Sequence, residues 1–276
     1  MQYKYVDLQK EFPLLEAKGS LTIYSPSNLE EFCPNRKRRT VLIIPGGAYS
    51  FVSEREGEPV ALKLLSHDFI CVVLKYEVGP FHKQWQPFLI GWAAIAYLRK
   101  HASLLNIDES HLSLLGFSAG GHFAATLAAY QNNNIAASFF HLDPKLFQIN
   151  GLLLGYPVIT MEEQTHVETM QNVTHGDREL IKRYSIEKHV TPSFPKTFLF
   201  TTFNDDCVDS SNSLLLAKAL KEAGVPFEFH LYPNGPHGTS VGRATYPEGT
   251  DETFLKSIDY IASWVEAAVR FIKETI

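Results

Sequence analysis

The chain has 276 residues, 45% of them hydrophobic and 20% charged, which is enough apolar material for a large buried core. Its net charge of -5 gives no broad positive field, and this argues against partners such as nucleic acid or an anionic membrane surface. The first residues lack the basic and apolar segments of a secretory signal, and no apolar run is long enough to cross a bilayer, so we expect a cytoplasmic protein.

Strands are predicted where short runs of apolar, β-branched or aromatic residues occur. The first run, residues 21–24, alternates and precedes Ser25-Pro26, so we expect an antiparallel edge strand there. Most of the later runs are apolar at successive positions, as in strands covered on both faces. They lie at residues 41–44, 70–74, 112–115, 152–154, 198–200 and 227–232.

Helical patterns lie between these strands. One begins at Pro59, another spans residues 89–100, and a third follows Asn212 and ends at Gly224. Apolar residues spaced three and four apart over residues 254–272 predict one long C-terminal helix. Such alternation is typical of a mostly parallel sheet with helices on both faces, so we expect a single α/β domain over residues 1–276.

The alternation breaks between residues 159 and 195, where polar residues dominate and the strand pattern resumes only at Thr197. We interpret residues 159–195 as an insertion or cap segment over the sheet, helical around residues 178–184. Such a segment either shapes the substrate pocket or is a plain surface excursion.

Residues 116–120, Gly-Phe-Ser-Ala-Gly, match the GxSxG pattern. They follow the strand at 112–115 and open a small-residue helical run at 121–129, which is the strand, turn and helix context of a nucleophile elbow. The turn is too tight for side chains at the two glycine positions, 116 and 120. The alternative interpretation is a glycine-rich helix start that only packs or binds an anion.

A serine hydroxyl needs a histidine base and an acid that orients the base, and in this arrangement the chain order is serine, acid, histidine. His237 lies in a loop after the strand at 227–232, whereas His230 lies inside that strand and is predicted to pack there. Asp205 and Asp206 follow the strand at 198–200, and Asp209 is a more distant candidate. Acidic residues of this kind also favour helix N-termini. No metal-ligand spacing accompanies them, so neither a metal nor a cofactor is expected.

Residues 45–49, Pro-Gly-Gly-Ala-Tyr, directly follow the strand at 41–44. Acyl transfer passes through a tetrahedral oxyanion, and glycines let backbone amides approach that oxygen. We therefore expect the amides of Gly46 and Gly47, with that of Ala119, to be the oxyanion donors. All these elements fall at the carboxyl ends of predicted strands, where ligands bind in open α/β sheets.

Three further features have ordinary structural interpretations. The basic run at residues 36–39 is predicted to be a solvated loop before a buried strand. Phe81, Trp85 and Phe88 either line an acyl pocket or pack against a helix. The three cysteines are widely spaced and form no CxxC pair, so neither a disulfide framework nor a thiolate zinc site is indicated, and Cys71 is predicted to lie in the core.

Taken together, residues 45–49, 55–61, 116–122, 204–213 and 235–238 resemble the small α/β-hydrolase esterases related to acetylesterases and xylan acetylesterases, near the hormone-sensitive-lipase and prolyl-oligopeptidase-like branches. The resemblance covers residues 41–264. It implies an α/β-hydrolase fold and hydrolysis of acetyl or other short-chain esters.

The resemblance also distinguishes the acidic candidates. In such relatives the acid stands three positions before a Val-Pro pair and seven before Asn-Ser. Laid on Val208 and on residues 212–213, that spacing selects Asp205, with Asp206 as the fallback. Two departures occur: Asp209 replaces the usual proline, and Ala48 stands where many relatives have a third glycine.

Two other functions remain open at this point. The same triad could cleave an amide, formamide or peptide bond, and a non-catalytic binding module could be built on the same fold. The expected partner is a small-molecule ester, and a homo-oligomer is compatible with the sequence.

Overall fold

The computed structural model describes residues 1–79, 81 and 85–276, which form an eight-stranded sheet flanked by helices. The strands are β1 (Gln2–Asp7), β2 (Gly19–Ser25), β3 (Arg38–Ile44), β4 (Ile70–Tyr76), β5 (Ile107–Phe117), β6 (Gly151–Gly155), β7 (Lys196–Thr202) and β8 (Phe227–Tyr232). Their order across the sheet is β1-β2-β4-β3-β5-β6-β7-β8. Pairing is antiparallel from β1 through β2 to β4 and parallel from β4 to β8. The predicted mostly parallel sheet is therefore confirmed.

Helices cover both faces of the sheet. They are α1 (Leu8–Glu11), α2 (Glu58–Leu65), α3 (Gln86–Lys100), α4 (Ala119–Tyr130), α5 (Ile135–Phe140), α6 (Val167–Thr174), α7 (Arg178–Tyr184), α8 (Ser211–Glu222), α9 (Glu252–Ala262) and α10 (Trp264–Glu274). Successive residues of β3 point to opposite faces, as the period of a strand requires. Leu42 belongs to the core under α3, α4 and α8, and Val41 to the core under α2, α9 and α10. Both faces of the strand are buried, which explains its continuous apolar sequence.

The predicted antiparallel edge strand, β2, is antiparallel but does not lie at the edge. β1 pairs outside it, with Tyr3 opposite Tyr24. Four successive β1 residues, from Gln2 to Tyr5, are exposed, so this strand has no apolar face that would mark it in the sequence.

The prediction of one long C-terminal helix is wrong, because the helix is interrupted at Ser263 between α9 and α10. The Ser263 hydroxyl donates to the carbonyl of Tyr260 at 2.6 Å and lies 3.2 Å from the Tyr232 hydroxyl. Apolar residues continue on both sides of the break, since α9 and α10 pack in the same core.

The basic run at residues 36–39 was predicted to be a solvated loop, and this is wrong for its second half. Arg38 is 6% exposed at the start of β3, where its Nε donates to Asp68 at 2.7 Å. Arg39 reaches the end of α10 and donates to the carbonyls of Ile272 at 2.5 Å and Lys273 at 3.3 Å. Carbonyls at a helix C-terminus lack partners within the helix, and Arg39 donates to two of them. Arg38 and Arg39 therefore join β3 to Asp68 and to α10.

Residues 159–195 contain α7, at the predicted position, and α6, which the sequence did not indicate. The segment is joined to α8 by Asn212, a fully buried residue. The Asn212 carbonyl oxygen accepts the amides of Ile159 and Thr160 at 2.9 and 3.1 Å, and its amide donates to the carbonyl of Gln164 at 2.9 Å. Within the described ranges, no helix combines the length and apolar character needed to cross a membrane.

Candidate active site

Ser118 lies at the turn between β5 and α4, where its backbone has a positive φ of 53°. The flanking glycines are required by close approach: a Cβ on Gly116 would lie 2.3 Å from the carbonyl oxygen of Gly120, and one on Gly120 would lie 2.2 Å from that of Ile44. The Ser118 amide donates to the carbonyl of Gly155 in β6 at 3.0 Å. The strained turn thus holds the hydroxyl at the carboxyl end of the sheet.

The structure brings Ser118, His237 and Asp205 together. His237 Nε2 lies 2.8 Å from the Ser118 hydroxyl, and His237 Nδ1 lies 3.0 and 2.9 Å from the two Asp205 oxygens. Asp205 is 1% exposed and His237 15% exposed. Because a carboxylate only accepts hydrogen bonds, Nδ1 carries the proton and Nε2 is left as the acceptor for the serine hydroxyl.

The three carboxylates of the acidic cluster have different partners. Asp205 accepts the amides of Cys207 and Val208 at 3.0 and 2.9 Å in addition to the imidazole. Asp206 accepts the backbone amide of His237 at 3.1 Å. Asp209 accepts the amide and hydroxyl of Ser211 at the start of α8, and these hydrogen bonds lower the pKa of its carboxyl. His230, as predicted, packs within β8, where its Nε2 lies 2.7 Å from Glu228.

The loop after β3 approaches Ser118 closely. A Cβ on Gly46 would lie 2.8 Å from the Ser118 Cβ, and Gly47 has a φ of 123° that favours glycine. The Gly46 amide was expected to be an oxyanion donor, but it donates instead to the buried carboxylate of Glu56 at 2.8 Å. Among the described residues, none accepts the amide of Gly47 or Ala119. These two N–H groups remain available to an oxyanion, and Gly46 is engaged elsewhere.

Tyr49 anchors the far end of this loop. Its hydroxyl lies 2.8 Å from His122 Nδ1, and His122 Nε2 lies 2.9 Å from the carbonyl of Tyr184. Only Nε2 faces a pure acceptor, so the proton is on Nε2 and the tyrosine hydroxyl donates to Nδ1. Burial lowers the pKa of His122 to about 4, which keeps the imidazole neutral in this network.

A cleft of about 620 Å³ opens over Ser118 and His237. The loop after β3 supplies an exposed phenylalanine, Phe51, and residues 159–195 supply His166 and Glu168. Burial lowers the pKa of His166. The cleft is therefore lined by apolar side chains together with charged and hydrogen-bonding ones. Its lining residues are Gly47, Ala48, Phe51, Val52, Ser53, Glu54, Arg55, Glu56, Ser118, His166, Glu168, Cys207 and His237.

The three aromatic residues offered as an acyl pocket pack elsewhere. Phe81 and Phe88 are buried against Tyr49, and Trp85 packs edge-to-face on Tyr130 and Tyr184. None of the three lines the cleft. The second interpretation, helix packing, is the one that the structure bears out.

The chain matches a known protein family over most of its length. The BD-FAE family model matches residues 21–220. The chain belongs to the BD-FAE family. It is 35% identical to an endo-1,4-beta-xylanase B of Butyrivibrio fibrisolvens over 77% of this chain and 34% of that protein, and 25% identical to an acetylxylan esterase of Xylanibacter ruminicola over 75% and 42%. This BD-FAE chain thus spans about a third to a half of the length of the curated relatives it matches first.

Solved structures extend the likeness over the whole chain of this BD-FAE member. The carboxylesterase Cest-2923 of Lactobacillus plantarum WCFS1 superposes with a TM-score of 0.85 at 27% identity, covering 99% of this chain and 98% of that one. An acetyl ester-xyloside bifunctional hydrolase of Caldicellulosiruptor lactoaceticus gives 0.77 at 29% identity, with 96% of each chain covered. The α/β-hydrolase fold implied by the sequence is therefore confirmed.

The sequence did not indicate several of the residues that lie at the site. Glu56 lay within a stretch, residues 55–61, that contributed to the family resemblance without an assigned role. His166 and Glu168 reach the cleft only because residues 159–195 fold back over it, and no local pattern reports this. Tyr156, whose ring meets the His237 ring edge-on at 4.8 Å, has no signal in its own sequence context.

Proposed function

We propose that this chain is a serine carboxylesterase that hydrolyses small acyl esters through Ser118, His237 and Asp205. The observation that carries the proposal is the continuous set of contacts from the serine hydroxyl through the imidazole to a buried carboxylate, at 2.8 and 2.9 Å. This arrangement activates a serine for acyl transfer.

The reaction proceeds in two balanced halves. His237 Nε2 accepts the Ser118 proton as the serine oxygen bonds to the ester carbonyl carbon, and the resulting oxyanion accepts the amides of Gly47 and Ala119. The intermediate then expels the alcohol, which takes the proton from His237, and leaves an acyl-enzyme. Water repeats the sequence as nucleophile and releases the acid. Asp205 stabilises the imidazolium in both halves.

The form of the cleft supports a small acyl group on a polar alcohol. Ser118 and His237 lie on a lining that also contains Arg55, His166 and Glu168, which offer hydrogen bonds to hydroxyl groups on an alcohol. We propose that residues 159–195 act as a cap within a single domain, because His166 and Glu168 come from that segment. Acetyl esters are our preferred substrates, in keeping with the relatives named acetylxylan esterase and acetyl ester-xyloside hydrolase.

The test is hydrolysis of aryl esters from acetate to octanoate by the unmodified protein and by Ser118→Ala. We expect activity on the short esters and its loss in the variant, with unchanged circular dichroism and thermal unfolding. Ser103→Ala, an exposed serine remote from the cleft, is the matched control and is expected to retain full activity.

Labelling provides a second readout. A fluorophosphonate should add one phosphonyl group at Ser118, located by peptide mass spectrometry. Matched amides should react far more slowly than the esters. Near-normal ester turnover by folded Ser118→Ala would refute the proposal.

A further inference from the structure

A closed ring of buried hydrogen bonds joins the loop after β3 to the loop that carries His237. Glu56, 3% exposed, lies at the end of the short helical turn Glu54–Glu56. One carboxylate oxygen accepts the Gly46 amide and the other accepts the Tyr156 hydroxyl, each at 2.8 Å. Both acceptors of a single side chain are thereby committed to two different loops.

The ring closes through Ser240, which is fully buried three residues after His237. The Ser240 amide donates to the Tyr156 hydroxyl at 3.1 Å, and the Ser240 hydroxyl donates to the carbonyl of Arg55 at 2.6 Å. The Tyr156 ring also contacts His237 edge-on, with an interplanar angle of 69°. The route therefore runs from Glu56 to Tyr156, to Ser240 and back to the residue before Glu56.

A carboxylate is an expensive group to bury, and an apolar side chain of similar volume often stabilises a fold equally well. Stability alone is therefore a weak reason for Glu56 to lie here. What a carboxylate does, and an apolar side chain does not, is fix the positions of two donors at once. Here the donors are the Gly46 amide, one residue before a candidate oxyanion donor, and a tyrosine that contacts the base.

We propose that Glu56 is a positioning residue for the reaction, which fixes the positions of the Gly47 amide and the His237 ring relative to Ser118. The inference rests on the proposed esterase function. Gly46 lies close to both Ser118 and Glu56, because a Cβ there would lie 2.8 Å from the serine Cβ and 2.9 Å from a Glu56 carboxylate oxygen. Without Glu56 the Gly46 amide has no acceptor, and the adjoining Gly47 amide loses the contact that fixes its position.

The structural alternative is that Glu56 only keeps the fold intact. The two roles differ in what a folded variant does. A positioning residue alters kcat and the binding of a tetrahedral adduct while leaving KM nearly constant, because its effect is exerted on the transition state. A purely structural residue lowers the melting temperature and the number of active sites, and each remaining site works normally.

The experiment compares the unmodified protein with Glu56→Gln, Tyr156→Phe, the double variant and Tyr130→Phe. Tyr130 is the matched control, since its hydroxyl also donates one hydrogen bond, to the carbonyl of Arg183 at 2.8 Å, and lies outside the cleft lining. The readouts are kcat and KM for an aryl acetate, the inhibition constant of a small alkylboronic acid, and active sites counted by fluorophosphonate. Counting sites separates inactive molecules from slow ones.

For Glu56→Gln we expect kcat per active site to fall by about ten- to a hundredfold, because one of the two acceptor oxygens becomes an NH₂ group that faces another donor, and a displacement near 1 Å costs up to about a hundredfold. KM should change little, and boronic acid binding should weaken in parallel with kcat. Tyr156→Phe should have a smaller effect of the same kind. The double variant should lose less than the product of the two single losses, because both residues belong to one ring.

A folded Glu56→Gln whose kcat per site and boronic acid inhibition match the unmodified protein would overturn the inference and leave the esterase proposal standing. A wild type inactive on every ester would refute both. If Glu56→Gln does not fold, Tyr156→Phe carries the test alone: a parallel loss of kcat and boronic acid binding supports the inference, and behaviour like Tyr130→Phe overturns it.

Discussion

Replacement of Asp205 by asparagine gives a sharp test of the triad, because the neighbouring amides dictate how the new side chain sits. Asp205 Oδ1 accepts the amides of Cys207 and Val208, so asparagine keeps its carbonyl oxygen on those donors. Its NH₂ group then faces His237 Nδ1, which must become the acceptor. The imidazole proton moves to Nε2 and points at Ser118, so the ring no longer accepts the serine proton.

The expected loss follows from that forced tautomer. We expect kcat to fall by about 10³- to 10⁴-fold, which is about 4 to 5.5 kcal/mol of activation free energy. Asp206→Asn is the matched control, because it accepts the backbone amide of His237 through an oxygen that asparagine retains. Its kcat should stay within about tenfold of the unmodified value, since a neutral oxygen still accepts that hydrogen bond.

The assay is initial-rate hydrolysis of an aryl acetate by the three proteins at equal concentrations of labelled active sites. Circular dichroism and thermal unfolding verify that both variants are folded. A larger loss in Asp206→Asn than in Asp205→Asn would contradict the reasoning and transfer the role to the neighbouring carboxylate.

Two further predictions concern pH and thiol chemistry. The pKa of folded His122 is about 4, below the 6.5 of an unfolded histidine, so the unfolded chain binds the proton more tightly. The contribution of neutral His122 to the free energy of unfolding is therefore complete above pH 6.5 and falls as the pH drops toward 4. The loss amounts to about 3 kcal/mol, and chemical denaturation from pH 7 to 4 should show a shallower slope in His122→Gln. Cys207 lines the cleft with an exposed side chain, and its pKa is raised by partial desolvation and then by the Asp205 carboxylate, so alkylation should be slow at neutral pH, faster in base, and should lower kcat/KM. Cys207→Ser should be insensitive, although exposed Cys33 remains alkylated; equal inhibition of this variant would contradict the prediction.

The sequence identified the central sheet because its strands are buried on both faces, and their apolar runs need no alternation. β1 was missed because Tyr3, Lys4 and Tyr5 are exposed on both faces of the strand. The break at Ser263 was missed because α9 and α10 continue the same apolar face. Periodicity indicates which side of a helix is buried, and not where the helix is interrupted.

The sequence likewise indicated some residues of the candidate site and not others. Ser118 and the residues around it form a local sequence motif, although one of its glycines, Gly120, is required by close approach to Ile44 in β3. Glu56 and Tyr156 are 100 positions apart, and their hydrogen bond depends on β3 and β6 lying on either side of β5. The commitment of the Gly46 amide to Glu56 could likewise not be deduced, since a glycine pair after a strand carries no information on what its amides face.

The attachment of residues 159–195 has a consequence for how the cleft can be altered. Asn212 accepts the amides of residues 159 and 160 and donates to the carbonyl of Gln164, so α8 fixes the start of the segment to the sheet scaffold. Beyond that attachment the segment is held by contacts of its own, among them the Tyr184 carbonyl, which lies 2.9 Å from His122 Nε2. A segment transplanted from a related chain would change the residues that 159–195 contribute to the cleft while Ser118 and His237 keep their geometry, provided that Asn212, the backbone at 159–160 and an acceptor for His122 Nε2 are retained.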